Sequence, residues 1–164
     1  MPSSVAAMHV WLSWACLAGL MLLLAVAAVG DARRLTIPNW VCAGVALLAL
    51  PYWWASGAAF WPGFTWQAAF ALAVFAGLAA LFAFGLMGGG DVKLLAALAL
   101  WLPVRAYVEM MMWIAVAGGL LTLALLIGHR VARRTGRPEI PYGLAIAAGA
   151  ALTLGEPLVK QLLA

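Results

Sequence analysis

Long apolar runs are the feature that most constrains how this chain can fold. Of its 164 residues, 68% are hydrophobic and 9% are charged, whereas charged residues make up about 25% of an ordinary soluble protein. Several runs approach the roughly 20 apolar residues that an α-helix needs to cross a bilayer. The composition therefore predicts an all-α, polytopic membrane protein and excludes a soluble globular domain.

The apolar runs and the breaks between them predict about six transmembrane helices in a single membrane-embedded domain over residues 1–164. The runs cover approximately residues 8–30, 37–55, 65–87, 94–102, 107–128 and 140–155. The fourth run is shorter than a membrane crossing requires, so it either continues through Pro103 or crosses a thinned, protein-lined region. The first run resembles a signal peptide at its small-residue end, but no Lys or Arg precedes it, which favours a retained helix.

The positions of the basic residues predict the orientation of the chain. Cytoplasmic loops of membrane proteins carry an excess of Lys and Arg. If the loops after helices one, three and five share a side, that side holds seven of the nine basic residues, namely Arg33, Arg34, Lys93, Arg130, Arg133, Arg134 and Arg137. We therefore expect these loops to face the cytoplasm.

The chain contains two aspartates, Asp31 and Asp91, and each lies where a long apolar run meets polar residues on the predicted cytoplasmic side. An ionisable group at the centre of a membrane helix costs about 2.5–3.5 kcal/mol, so such residues are candidates for function. If helices one and four pack together, the two carboxyl groups approach and cannot both ionise readily. This is the arrangement of an aspartic protease, in which one carboxylate activates water, the other protonates the carbonyl oxygen, and no metal is required.

Three glycines, Gly88–Gly90, precede Asp91 directly. Glycine adopts positive φ and allows a substrate main chain to approach closely, which suits a catalytic loop. The alternative is a flexible hairpin in which Asp91 caps a helix. For Asp31, the alternative is a carboxylate at a helix end that pairs with Arg33 or Arg34.

Three motifs in order resemble the type IV prepilin peptidase family over nearly the whole chain. The second motif is the GxGD signature of membrane aspartic proteases, and the third is a Pro-Tyr-Gly block at the start of the last helix. The three motifs are Asp31 with Ile37-Pro38-Asn39, Gly88-x-Gly90-Asp91, and Ile140-Pro141-Tyr142-Gly143.

The resemblance implies that Asp31 and Asp91 are the catalytic pair, and that Gly88, Gly90 and Lys93 belong to the motif around the second aspartate. It implies no cofactor and no metal. The chain shows neither the added N-terminal segment nor the C-x-x-C pairs of the long members, so it resembles the short, peptidase-only members of tight-adherence (Flp) pilus systems. We therefore do not expect N-methyltransferase activity.

Asn39 and Lys93 are further candidates near the two aspartates. Either side chain can orient a carboxyl group or hold substrate. The alternatives are that Asn39 caps a helix and that Lys93 extends to the lipid headgroups.

The resemblance implies an enzyme of the bacterial inner membrane that cleaves the short basic leader from prepilins or pseudopilins at the cytoplasmic face. Its partners are then these substrates and the lipid bilayer, and no nucleic acid. Two alternatives stay open at this point. One is an archaeal-type preflagellin peptidase, and the other is a non-enzymatic transporter or scaffold subunit in which the aspartates carry protons or serve structure.

Overall fold

The structure, a computed structural model, describes residues 4–57, 63–131 and 140–162. This part of the chain is all-helical, as predicted, and it contains six helices. They are α1 (Ser4–Arg34), α2 (Asn39–Ala55), α3 (Thr65–Ala83), α4 (Gly89–Leu98), α5 (Val104–Val131) and α6 (Tyr142–Leu162). Three of the predicted cytoplasmic arginines, Arg133, Arg134 and Arg137, lie outside the described residues.

Three of the described helices are long and apolar enough to cross a membrane. They cover Ala7–Arg34, Thr65–Ala83 and Val104–Val131. Each exposes large apolar side chains, with Leu22, Leu72 and Leu120 all more than 60% exposed. Exposed leucines on such long apolar helices match contact with lipid rather than with water.

The core lies where α1, α2, α4 and α6 meet. Helix α1 packs against α2 and α6, and α4 packs against α2, α3 and α6, while α5 packs against α6. Thus α2 and α6 bridge α1 and α4. Fully buried side chains from all four helices fill this space, including Leu20, Val45, Leu94 and Ile146.

Helix α4 is the short element of the fold. Its 10 residues span about 15 Å, half the thickness of a hydrocarbon core. The chain then turns, and α5 begins after Pro103, so α4 does not continue through that proline. Side chains of neighbouring helices satisfy the carbonyl groups after α4: the buried Gln67 donates through Nε2 to Ala99 O at 2.6 Å and also to Leu102 O, and the half-buried Trp53 donates through Nε1 to Leu100 O at 2.7 Å.

Helix α1 is longer than its apolar run, and it contains Asp31 in its last turn. The backbone N–H of Leu35 donates to Asp31 O at 2.8 Å, and Leu35 has a φ of 53°. A left-handed residue just after a helix is a common way to end it. The chain therefore turns towards α2 directly after Asp31 and its neighbours.

Candidate active site

Four helix ends meet at one end of the molecule: the end of α1 and the beginnings of α2, α4 and α6. Asp31 lies on the first of these, and Asp91 lies on α4. Their charges interact. The structure therefore brings together the two aspartates that the sequence analysis paired, although they are 60 residues apart.

Asp31 is buried, with 6% of its surface exposed. Its Oδ2 atom accepts a hydrogen bond from the backbone N–H of Gly143 at 2.6 Å. Gly143 lies in the first turn of α6, where N–H groups lack partners within the helix and the helix dipole favours negative charge. Arg33 and Arg34 are exposed, so the partner of the Asp31 carboxylate is this N–H group and neither arginine.

Gly143 contacts Asp31 so closely that no side chain fits between them. A Cβ atom at Gly143 would lie 2.9 Å from both Cβ and Oδ2 of Asp31, which is shorter than non-bonded carbon contacts allow. The third sequence motif indicated a family resemblance without a role for its glycine. The structure gives this glycine a role, because it positions the first aspartate.

Asp91 lies in the first turn of α4, whose N-cap is Gly88. Its carboxyl group turns back over this helix end, since a Cβ at Gly88 would lie 3.0 Å from Asp91 Oδ2. Asp91 does not belong to any of the three helices that are long and apolar enough to cross a membrane. Burial, together with the nearby charge of Asp31, raises the pKa of Asp91 to about 6, so this carboxyl group holds a proton far more readily than an exposed aspartate does.

The glycines before Asp91 serve close packing rather than unusual backbone angles. Gly88 has a φ of −72°, and the glycine with positive φ in this region is Gly85, at 70°, two residues after the end of α3. The expectation of positive φ within Gly88–Gly90 is therefore wrong. A Cβ at Gly90 would lie 3.1 Å from Cβ of Ile37, so the first turn of α4 packs directly against the segment that follows Asp31.

A second contact joins the same two segments. The thiol of Cys42, in the first turns of α2, donates to Gly90 O at 3.8 Å, a long but acceptable distance for sulfur. Ile37 and Cys42 thus both contact Gly90 in the first turn of α4. Nothing in the sequence pattern distinguished Cys42 from other buried residues.

Asn39 and Lys93 bond to each other rather than to an aspartate. Lys93 Nζ donates to Asn39 Oδ1 at 2.8 Å, and both side chains are otherwise exposed. This hydrogen bond links the beginning of α2 to α4 next to Asp91. The direct orientation of either aspartate by Asn39 or Lys93 is therefore not seen.

The arrangement combines two carboxyl groups with different surroundings. The Asp31 carboxyl group is buried and accepts a hydrogen bond from the first turn of α6, and the Asp91 carboxyl group, at the beginning of α4, has a raised pKa. Such a pair shares one proton and can act as base and acid on the same substrate. In the described part of the chain, no group of three or more His, Cys, Asp or Glu residues is placed to hold a metal ion.

Comparison with known proteins gives one match. The model of the type IV leader peptidase family matches residues 18–127. This range contains Asp31 and Asp91 together with α2, α3 and α4, and it ends before the Pro-Tyr-Gly block. No curated protein and no solved structure matches the chain significantly.

Proposed function

The chain belongs to the type IV leader peptidase family, and on this premise we propose that it is an aspartic endopeptidase that removes the short basic leader of prepilins or pseudopilins. Asp31 and Asp91 are its catalytic residues. The reaction takes place at the cytoplasmic face of the bacterial inner membrane. The predicted orientation of the basic loops supports this side.

One observation carries the proposal: the only two aspartates of the chain meet at one end of the helical bundle in different electrostatic surroundings. The Asp31 carboxyl group is buried and accepts a hydrogen bond from the Gly143 N–H group, and burial with the nearby Asp31 charge favours the protonated form of Asp91. A transporter would instead need acidic residues along a path through the membrane. Both aspartates lie at helix ends on one side.

In the proposed mechanism, Asp31 is the base and Asp91 is the acid. Asp31 takes a proton from water as the water oxygen adds to the peptide carbonyl carbon, and Asp91 gives its proton to the carbonyl oxygen. Asp31 then passes its proton to the amide nitrogen, and the C–N bond breaks. Asp91 recovers a proton from a hydroxyl of the tetrahedral intermediate, so the pair returns to its first state.

The position of the pair favours a bond close to the membrane surface. A prepilin leader is basic and joins directly to an apolar segment, so its scissile bond lies at this depth when the segment is in the bilayer. A substrate whose bond lay far from the membrane would not reach helix ends at this level. Gly88 and Gly90 belong to the wall of the site through their contacts with Asp91 and Ile37.

The proposal is tested by reconstituting the purified chain in liposomes with a prepilin and, separately, with a preflagellin. We expect a single cut at the junction of leader and apolar segment, identified by mass spectrometry of the product, and no cut in liposomes without the chain. The substrate that is cleaved faster decides whether the chain is a prepilin peptidase or a preflagellin peptidase. Both substrates remaining intact would contradict the proposal.

A further inference from the structure

A cleft opens between α2 and α3 on the surface of α4. Both helices pack against α4, but within the described residues they do not pack along each other. The cleft has a volume of about 440 Å³, and no described helix fills it. Its lining comes from all three helices.

Helices α2 and α4 provide most of the lining of the cleft. Helices α2 and α4 both begin at the active-site end, so they run side by side in the same direction. Their cleft residues recur every three or four positions, which places them on one helix face over two turns, about 10 Å. These residues are Asn39, Cys42, Ala43 and Ala46 from α2, Lys93, Ala96 and Ala97 from α4, and Leu100 two residues after the end of α4, with Phe75 of α3 at the side.

Side chains in the cleft are smaller than those elsewhere on the exposed surface of α2. Outside the cleft, Trp40, Leu47 and Leu50 are 62%, 66% and 49% exposed. Inside it, α2 presents Ala43 and Ala46. Large apolar side chains suit contact with lipid, whereas alanines let the backbone of another helix approach closely. The size of the side chains therefore indicates a helix as the occupant of the cleft.

The cleft leads to the catalytic pair. At its active-site end, the Asn39 amide and the Lys93 ammonium group are hydrogen-bonded to each other, and Lys93 follows Asp91 by two residues on α4. The Cys42 thiol, which also lines the cleft, donates to the carbonyl of Gly90. A helix lying in the cleft with one end at Asn39 and Lys93 has that end at the level of the first turns of α4, which contain Asp91.

We propose that this cleft binds the apolar helix of the substrate. The helix packs against Ala43, Ala46 and Ala97, and its N-terminal end lies at Asn39 and Lys93, so the preceding peptide bond is presented to the two aspartates. This inference rests on the proposed function, because it requires a substrate with a membrane helix next to the scissile bond. A lipid chain and a second copy of this chain are the competing occupants.

The first test fills the cleft and compares two neighbouring positions. Ala46→Trp places an indole in the cleft, and Leu47→Trp places the same group on the exposed surface of α2. The substrates are a prepilin that the wild-type chain cleaves and a truncated form with the leader and junction but without the rest of the apolar segment. For the intact prepilin, we expect Ala46→Trp to raise KM by roughly tenfold, a loss of about 1.4 kcal/mol.

The same experiment contains its controls. Leu47→Trp is expected to leave KM for the prepilin unchanged, and Ala46→Trp is expected to raise KM for the truncated form far less than it raises KM for the prepilin. An unchanged KM of Ala46→Trp for the prepilin would overturn the inference and indicate lipid in the cleft. An equal loss for both substrates would also overturn it, because the effect would not depend on the apolar segment.

Cross-linking tests the occupant directly. Cysteine replaces Ala46 or, as the control, Leu47, and single cysteines are placed along the apolar segment of the prepilin. We expect disulfides from position 46 at substrate positions spaced by three or four residues, and none from position 47. Disulfides between two copies of this chain at position 46, or none to the substrate, would overturn the inference.

The two proposals fail in different ways. If the wild-type chain cleaves no prepilin, the proposed function is wrong. If the wild-type chain and Ala46→Trp cleave the prepilin with the same KM, the proposed function stands, and the assignment of the cleft is wrong.

Discussion

At the residue scale, Gly143 is a position beside Asp31 that has no room for a side chain. A Cβ there would lie 2.9 Å from Oδ2 and Cβ of Asp31, so Gly143→Ala must displace the Asp31 carboxyl group, which we propose is catalytic, or the start of α6. Misplacement of a catalytic group by about 1 Å can cost roughly 100-fold in rate. We expect Gly143→Ala to lower kcat for leader cleavage by about that factor, measured on reconstituted protein.

The matched control lies on the same helix. A Cβ at Gly155 would meet no atom of a neighbouring element within 4 Å in the described part of the chain, and alanine is the better helix former. Gly155→Ala should therefore keep full activity. Equal activity of Gly143→Ala and Gly155→Ala would show that the contact with Asp31 does not position the carboxylate.

Asp91 gives the site a pH dependence. Burial and the charge of Asp31 raise its pKa to about 6, so Asp91 is protonated below this pH and ionised above it. Asp31, on α1, is the charged group that acts on the pKa of Asp91 besides burial. Because the proposed mechanism makes Asp91 the acid, kcat/KM should fall on the alkaline side with an apparent pKa of about 6.

The measurement is the initial rate of leader cleavage across pH 4–9, with each sample returned to the optimum to show that the loss is reversible. A rate that stays level from pH 6 to pH 9 would assign the proton to another group. A profile that falls only on the acid side would exchange the roles of the two aspartates.

At the element scale, α4 depends on donors from other helices. It ends inside the molecule, and Gln67 on α3 donates to the carbonyl groups of Ala99 and Leu102 that follow it. Because Gln67 is buried, Gln67→Leu would leave both carbonyls without a donor, at a cost of about 1–3 kcal/mol for each unsatisfied group.

We therefore expect Gln67→Leu to lower the thermal unfolding midpoint in detergent and to speed hydrogen exchange over residues 99–102. The neighbouring change Trp66→Leu is the control, because Trp66 is 72% exposed. Equal midpoints for Gln67→Leu and the wild-type chain would show that these hydrogen bonds do not hold the end of α4.

The long apolar runs were sufficient to predict the six helices, but they did not predict where each helix begins and ends. The predicted fourth helix began near residue 94, whereas α4 begins at Gly89, because the glycines form its first turn. Helix α1 runs beyond its apolar stretch to Arg34. These ends depend on tertiary contacts, such as Ile37 with Gly90, which no local pattern contains.

The two catalytic candidates could be predicted because a carboxyl group beside an apolar run is rare and costly. The contacts that surround the two aspartates could not be predicted from the sequence. The hydrogen bond from Gly143 joins residues that are 112 positions apart, and the cleft lined by Ala43 and Ala46 exists only because α2 and α3 stand apart on α4. Single alanines in an apolar run carry no sequence signal.

At the scale of the whole molecule, the described helix ends divide into two faces. Thr36 lies in the link between α1 and α2 on the active-site face, and Ser56 directly follows α2 on the opposite face; both are exposed. The proposed orientation places Thr36 in the cytoplasm. In intact spheroplasts, an impermeant thiol reagent should label Ser56→Cys, and it should label Thr36→Cys only after lysis. The reverse pattern would place the catalytic pair outside the cell.

The central claim is that Asp31 and Asp91 together cleave the peptide bond, and the most direct measurement is the rate of leader cleavage by the two single variants Asp31→Asn and Asp91→Asn. Asparagine keeps the size of each side chain while removing its role as base or acid. Glu109→Gln, at an exposed carboxyl group on α5, is the matched control, and all four proteins are compared at equal levels in the membrane. We expect each aspartate variant to lose about 10²–10⁴-fold in rate and Glu109→Gln to lose none. Cleavage at the wild-type rate in either aspartate variant would contradict the two-aspartate mechanism.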